Sequence, residues 1–299
     1  MKLHVRHRTH YGYERTASLS HNHVCMQPGN TCNQRCLETR LEVNPEPDCM
    51  QNAVDVYGNT AARFSLSHRH TECEIIVSSL IDTNDELVPL PLSTSVINNL
   101  DLLKTLRTRD ALMAQDCLLP SPYIAVTDVL DKLMSELPLA GHSVIEYGEL
   151  MMKHIFNTFD YDSGFSTLVT PLSEIYAARK GVCQDFAHLA IGALRRQGIP
   201  ARYVSGYLET LPPPGQTKLQ GADASHAWFA VFDANHGWFD FDPTNNKRPD
   251  RQYITTAWGR DYGDVTPVKG VVYGGGKHKL TVEVDVTRIG TTPLALTER

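Results

Sequence analysis

The chain has 299 residues, which as a prior allows about two domains. A chain of this length buries enough apolar surface on folding to need no disulfide or metal staple. Its net charge of −6, with no basic stripe, argues against nucleic acid and anionic membrane as partners. The opening MKLHVRHRTHYGYERT has no apolar core and no small-residue cleavage site, so it does not read as a signal peptide. No apolar run is long enough to span a bilayer. Seven irregularly spaced cysteines, an odd number without a secretion signal, fit reduced thiols in a cytoplasmic compartment.

The first segments read as strands: Lys2–Tyr11, Leu37–Val43, Asn59–Ser67 and Cys73–Ile81. Alternation is clear in RLEV and CEIIVSSLI, and Pro28-Gly29, Pro45-Glu46-Pro47 and Tyr57-Gly58-Asn59 separate the runs. An N-terminal antiparallel β domain over residues 1–90 is expected. From there the period changes. Leu, Ile, Val and Met recur at helical spacing over 98–114, 124–138 and 143–158, and 171–179 forms a short helix ending before Gly181.

In GVCQDFAHLAIGALRRQGIPAR, Cys183, Phe186, Ala187, Ala190, Ile191 and Leu194 fall on one helix face, and Gly198 with Pro200 stops the helix. Strands 201–209, 225–233 and 237–242 follow. The last two are apolar on both faces, as in the middle of a covered sheet. A final alternating run, 277–288, reads as a C-terminal β tail. The expected architecture is α+β, with a second domain over 91–299 in which a nucleophile helix packs on an antiparallel sheet.

Cys183 opens its helix, where the dipole and free N–H groups favour the negative charge of a thiolate and the oxyanion of a tetrahedral intermediate. His226 begins a strand that turns at Asp233–Gly237 into the next. With the hairpin centred on Ala234, His226 faces Asp242, a carboxylate that would fix one tautomer of the ring. Asp240 shares the face of Asp242, so alternation does not separate the two; register and the extended backbone before Pro243 favour Asp242. Cys183, His226 and Asp242 form a complete nucleophilic set.

The segments GVCQDFAHLAIGALRRQGIPARYVSGY, SHAWFAVF and GWFDFDPTN resemble the core of the transglutaminase-like superfamily, a circularly rearranged relative of papain-type thiol proteases. HRTHYGYERTASLSHNHVCMQP and VYGNTAARF resemble the N-terminal β domain of one bacterial branch, and TTAWGRDYGDVTPVKGVVYGGGKHKLTVEV its C-terminal tail. The resemblance implies a papain/transglutaminase-like core with its Cys, His and Asp on Cys183, His226 and Asp242. It implies a thiol-dependent enzyme acting on a protein or peptide substrate, and leaves open hydrolysis, amine transfer or a non-catalytic binding scaffold.

The remaining features are read conservatively. His21, His23, Cys25, Cys32 and Cys36 lack the paired spacings of a zinc site, and no calcium loop is present, so no metal and no cofactor are expected. His188, five residues after Cys183, turns to another helix face, while Asp185 suits a helix cap. Trp228, Trp238 and Trp258 suit a core as well as an acyl groove. The loop 211–224, just before His226, suits a lid over the site and a plain surface loop equally.

Overall fold

A computed structural model describes residues 1–84, 89–139, 141–210, 221, 223 and 225–290. Alternation sets the first element. In β1, Lys2–Val24, the residues Leu3, Val5, His7 and Thr9 all turn inward and are nearly inaccessible. β1 runs well past the expected Tyr11. Its register shifts between Gly12 and Ala17, and there it changes partners. The first half pairs with β5 (His70–Thr83) and the second with β4 (Thr60–Leu66). Two edge strands complete this side of the sheet: β2 (Gln34–Asn44) on β5 and β3 (Cys49–Val54) on β4.

Four helices follow. The apolar run expected as one helix over 98–114 is split into α1 (Val96–Thr105) and α2 (Arg109–Asp116), because Thr108 caps a new N-terminus by accepting from the N–H of Ala111. α3 spans Asp128–Ser135 and α4 spans Val144–Thr158. Ser143 and Glu146 close a reciprocal capping box at the start of α4.

The core then assembles in sequence: β6 (Asp160–Tyr161), α5 (Leu172–Ala178), β7 (Lys180–Gly181), α6 (Cys183–Arg196), β8 (Ala201–Leu208), β9 (Ser225–Asp233), β10 (Gly237–Phe241) and β11 (Tyr253–Gly259). The last four form an antiparallel sheet in the order β10-β9-β8-β11. Ala201, Tyr203, Ala227, Phe229 and Val231 face α6 in one apolar cluster, while Val204, Trp228, Ala230 and Tyr253 line the opposite face. Within α6, every residue from Asp185 to Arg195 is buried.

Two C-terminal strands, β12 (Val268–Gly274) and β13 (His278–Arg288), return to the first sheet. β13 pairs with the first half of β1 and β12 with the second. The sequence reading counted this tail with residues 91–299, yet its ladder lies on β1. Alternation identifies a strand without naming its partner, and this partner is almost a whole chain away.

The two sheets are also joined by side chains. β11 is an edge strand, and an open edge invites pairing. Gln34 donates Nε2–H to the carbonyl of Thr255 and accepts from its N–H, both at 2.7 Å. Asn59 does the same for Trp258, at 2.7 and 2.9 Å. Two amides thus stand in for a neighbouring strand. Asn59→Ala removes both bonds to Trp258 and leaves that backbone unpaired. It is expected to cost about 2 kcal/mol, since each unmet polar group costs ~1–3 kcal/mol. This would lower Tm by roughly 4–8 °C in calorimetry; an unchanged Tm would show that the edge does not depend on the amide.

Candidate functional site

Cys183 sits at the N-terminus of α6, and its local sequence is sterically constrained. A Cβ on Gly181 would come within 2.9 Å of the Asp185 carboxylate, so the residue two before the cysteine must be small. Asp185 accepts from the N–H of Val182 at 2.9 Å and from the Ser166 hydroxyl. It therefore caps the helix, as its position suggests, and also ties down the chain before α5. Parallel pairing of Tyr161 with Gly181 brings the tyrosine beside the thiol.

His226 lies near the start of β9, with its side chain 10% exposed. Its Nε2–H donates to Asp242 Oδ2 at 2.7 Å, which leaves Nδ1 for the thiol. Cys183 approaches the same ring closely enough to act on its charge. Burial alone would lower the His226 pKa. Asp242 and Cys183 outweigh it and raise the value to about 10.

Asp242 has no solvent exposure. Besides His226, its Oδ2 accepts from Tyr253 Oη at 2.6 Å and Asn245 Nδ2 at 2.7 Å. Its Oδ1 accepts the N–H groups of Thr244 and Asn245. Burial pushes this carboxyl up, but the bond and charge of His226, then Tyr253 and Asn245, hold it below its ordinary value.

The structure thus brings Cys183, His226 and Asp242 together, though not by the expected register. The hairpin is centred on Asn235: Gly237 pairs with Asp233 and Phe241 with Phe229. Continuing that register would set Asp242 against Trp228 rather than His226. The one-residue error in the centre moves every partner by two, and a strand's side-chain period is two. The face is therefore kept, and His226 meets Asp242 on the diagonal.

Asp240, the competing carboxylate, pairs with Ala230 further along the ladder. Its Oδ1 is buried without a partner, and burial raises its pKa. His188 is buried and accepts from the N–H of Tyr262 at 3.2 Å, and burial lowers its pKa to about 3. It is a neutral packing group.

Tyr253 and Asn245 were not anticipated. Asn245 was detectable, because Asp-Pro-Thr-Asn is a sequence in which an aspartate binds the N–H groups that follow it. Tyr253 carries no such signal.

Cys183 and His226 open on a groove of about 360 Å³ lined also by Tyr161, Thr210, Ser225, Thr244 and Asn245. A larger depression, about 620 Å³, lies on the first sheet around His21, His23, Arg63 and Lys269; Cys49 and Ser65 line it too and Ser65 meets His21 at 2.7 Å, but no carboxylate among its lining residues holds an imidazole there. Chemistry rather than volume selects the smaller groove. Cys25, grouped above with His21 and His23, is buried in the core. No group of three or more His, Cys, Asp or Glu is arranged to hold a metal among the described residues. No helix of the described residues is long and apolar enough to cross a membrane. None of the three tryptophans lines the Cys183 groove. Of the loop 211–224, lid or surface loop, only Gly221 and Asp223 fall within the described residues.

Comparison with known proteins gives the same picture. Residues 3–82 match the bacterial transglutaminase-like N-terminal region, and residues 140–243 match the transglutaminase-like superfamily. An uncharacterised protein of Mycobacterium tuberculosis is 33% identical over 287 residues, covering 94% of this chain and 91% of its own. One from Mycobacterium leprae is 31% identical over 291 residues, covering 96% and 99%. A solved candidate cysteine protease from Cytophaga hutchinsonii has the same fold, with a TM-score of 0.73 at 22% identity over 98% of this chain and 92% of that one. The chain belongs to the transglutaminase-like superfamily, with the bacterial N-terminal region preceding the core.

Proposed function

We propose that this protein is a thiol-dependent acyl-transfer enzyme that hydrolyses peptide or amide bonds, with Cys183 as nucleophile, His226 as base and acid, and Asp242 orienting the ring. The observation that carries this reading is the His226 ring held by Asp242 through Nε2, with Cys183 beside it. The description of the Cytophaga protein as a candidate cysteine protease points the same way.

In this mechanism Cys183 Sγ, having passed its proton to His226, attacks the substrate carbonyl carbon. First-turn N–H groups of α6, which have no partners within the helix, receive the oxyanion. His226 returns the proton to the leaving amine as the C–N bond breaks, and a thioester remains. Water then adds to the thioester with His226 taking its proton. The C–S bond breaks, releasing the acid and restoring the cysteine.

We favour hydrolysis over amine transfer because the described walls of the groove admit water. Tyr161, beside the thiol, is 58% exposed, and Thr210, Ser225, Thr244 and Asn245 bring polar groups into walls that are otherwise mainly apolar. A transferase must keep water from its thioester. An idle binding scaffold would have no reason to bury a carboxylate under five donors beside the ring.

The pH dependence follows from the shifted histidine. His226 is raised from 6.5 to about 10, so its charged form contributes stability that is complete below 6.5 and lost as pH rises through about 10. The gap in urea-unfolding free energy between wild type and His226→Gln is therefore expected to shrink between neutral pH and pH 10. A constant gap would mean that the folded ring is uncharged. Iodoacetamide should also label Cys183, beside a base and at a helix N-terminus, faster than the buried Cys25, Cys73 and Cys117.

Cys183→Ala is expected to abolish turnover with Tm nearly unchanged. Asp242→Asn should lower kcat by roughly 10³–10⁴, as a lost tautomer anchor does. Asp240→Asn should do far less, and the reverse ranking in side-by-side kinetics would reassign the orienting carboxylate.

Partitioning separates the two enzymatic readings. With a glutamine-containing acyl donor and excess primary amine, free acid is expected to exceed amide product. An excess of amide at modest amine concentration would make the protein a transglutaminase.

A further inference from the structure

Two half-buried or buried arginines of the core are treated in opposite ways. Arg195, in the last turn of α6, is fully used. Its guanidinium donates to the carbonyls of Ala201, Leu119 and Arg260 and to the Ser121 hydroxyl. Arg202, at the start of β8, makes no hydrogen bond and no ion pair through its side chain among the described residues. Its Nε is buried without a partner. Leaving that N–H unmet away from water is costly, and the four N–H donors at the end of the guanidinium are also without a protein partner among the described residues.

The residue is nevertheless held in place. The Arg202 guanidinium carbon lies 4.2 Å from the Trp238 ring centroid and 4.7 Å from that of Trp258. In the strand order β10-β9-β8-β11, these tryptophans flank it from opposite sides. Cation–π contact covers the faces of the cation but satisfies none of its N–H groups, which lie in its plane. Arg202 borders a cavity of about 250 Å³ between the first sheet, α2 and the far end of the core sheet, and Arg109, Tyr57 and Asp110 share the lining.

We propose that this cavity is a binding site for a small oxyanion, a carboxylate or phosphate group, received in the plane of the Arg202 guanidinium and separate from the Cys183 groove. An oxyanion supplies the paired acceptors that a guanidinium fork fits. Arg109 adds a second cation at the rim.

The two nearby carboxylates do not replace it. Asp110 lies in the first turn of α2, where it complements the helix dipole. Asp240, two strands from Arg202 across Ala230, acts on its charge from a distance but forms no hydrogen-bonded ion pair with it. Burial raises the Asp240 pKa, which weakens it further as a counterion. The two sites share no lining residue, so this proposal does not depend on the catalytic reading.

The test is titration of the full-length protein with sodium phosphate and, separately, sodium acetate at constant ionic strength, with chloride as reference. The readouts are indole N–H resonances and Tm. Saturable movement of the Trp238 and Trp258 resonances, larger than that of Trp228, is expected together with a rise in Tm. Response to one anion alone identifies the group preferred.

Arg202→Met, if folded, should weaken binding at least about tenfold, as loss of a charged bidentate partner predicts. Cys183→Ala should bind like wild type. Three results would overturn the site: no saturable response beyond chloride, equal movement of all three indoles, or undiminished binding by folded Arg202→Met. Loss of the response in Cys183→Ala would move the effect to the catalytic groove and overturn it as well. Should Arg202→Met fail to fold, the wild-type indole pattern decides alone.

Discussion

A carboxylate cut off from water has to be solvated by the protein, and Asp242 sets that requirement for the end of the molecule that holds Cys183 and His226. Its five donors come from three places: His226 on β9, Tyr253 on β11, and the turn holding Thr244 and Asn245. Removing any of them would leave charge unmatched at zero exposure, so these elements are fixed relative to one another. The ring of His226 is therefore aimed by a shell of donors rather than by one bond.

Tyr253 extends this constraint to the first sheet. It belongs to β11, whose free edge is occupied by the amides of Gln34 and Asn59. A second line of contacts reaches the groove wall. Asp223 accepts from the N–H of Val286 and from Thr210, and Thr210 lines the groove. Glu209 next to it forms a bidentate pair with Arg288 at 2.6 and 2.8 Å. His7 of β1 meets the hydroxyl of Tyr207, and burial lowers the histidine pKa to about 4, so this contact stays uncharged near neutral pH. The N-terminal region is thus part of the frame that positions the site.

The local elements were readable where local physics decides them. The α6 helix follows from its apolar stripe and from Gly198 and Pro200, and β9 from its apolar run and Asn/Gly turn. The pairing of His226 with Asp242 survived a wrong hairpin centre because alternation preserves the face. Other strands gave no such pattern. β3 is exposed along its whole length, so neither face is marked by apolar residues. β11 carries an irregularity between Thr255 and Ala257 that breaks its alternation, and side chains rather than a strand line its outer edge. The partner of β13 and the role of Tyr253 depend on contacts distant in sequence, which periodicity does not encode.

The placement of β13 has a consequence for how the molecule is made. Arg8 of β1 bonds to Glu283 of β13 across 275 positions, and β13 closes the edge of β1 that β5 leaves open. As a ribosome delivers the chain, the strand that covers the exposed edge of β1 emerges only after every element from β5 to β12. Non-local pairing of this kind is slow and leaves unpaired strand edges exposed meanwhile. The edge of β1 must wait until the strands and helices between have been made. The groove wall anchored on Val286 and Arg288 is finished only after that, so a nascent chain carries Cys183 well before it has a complete site around it.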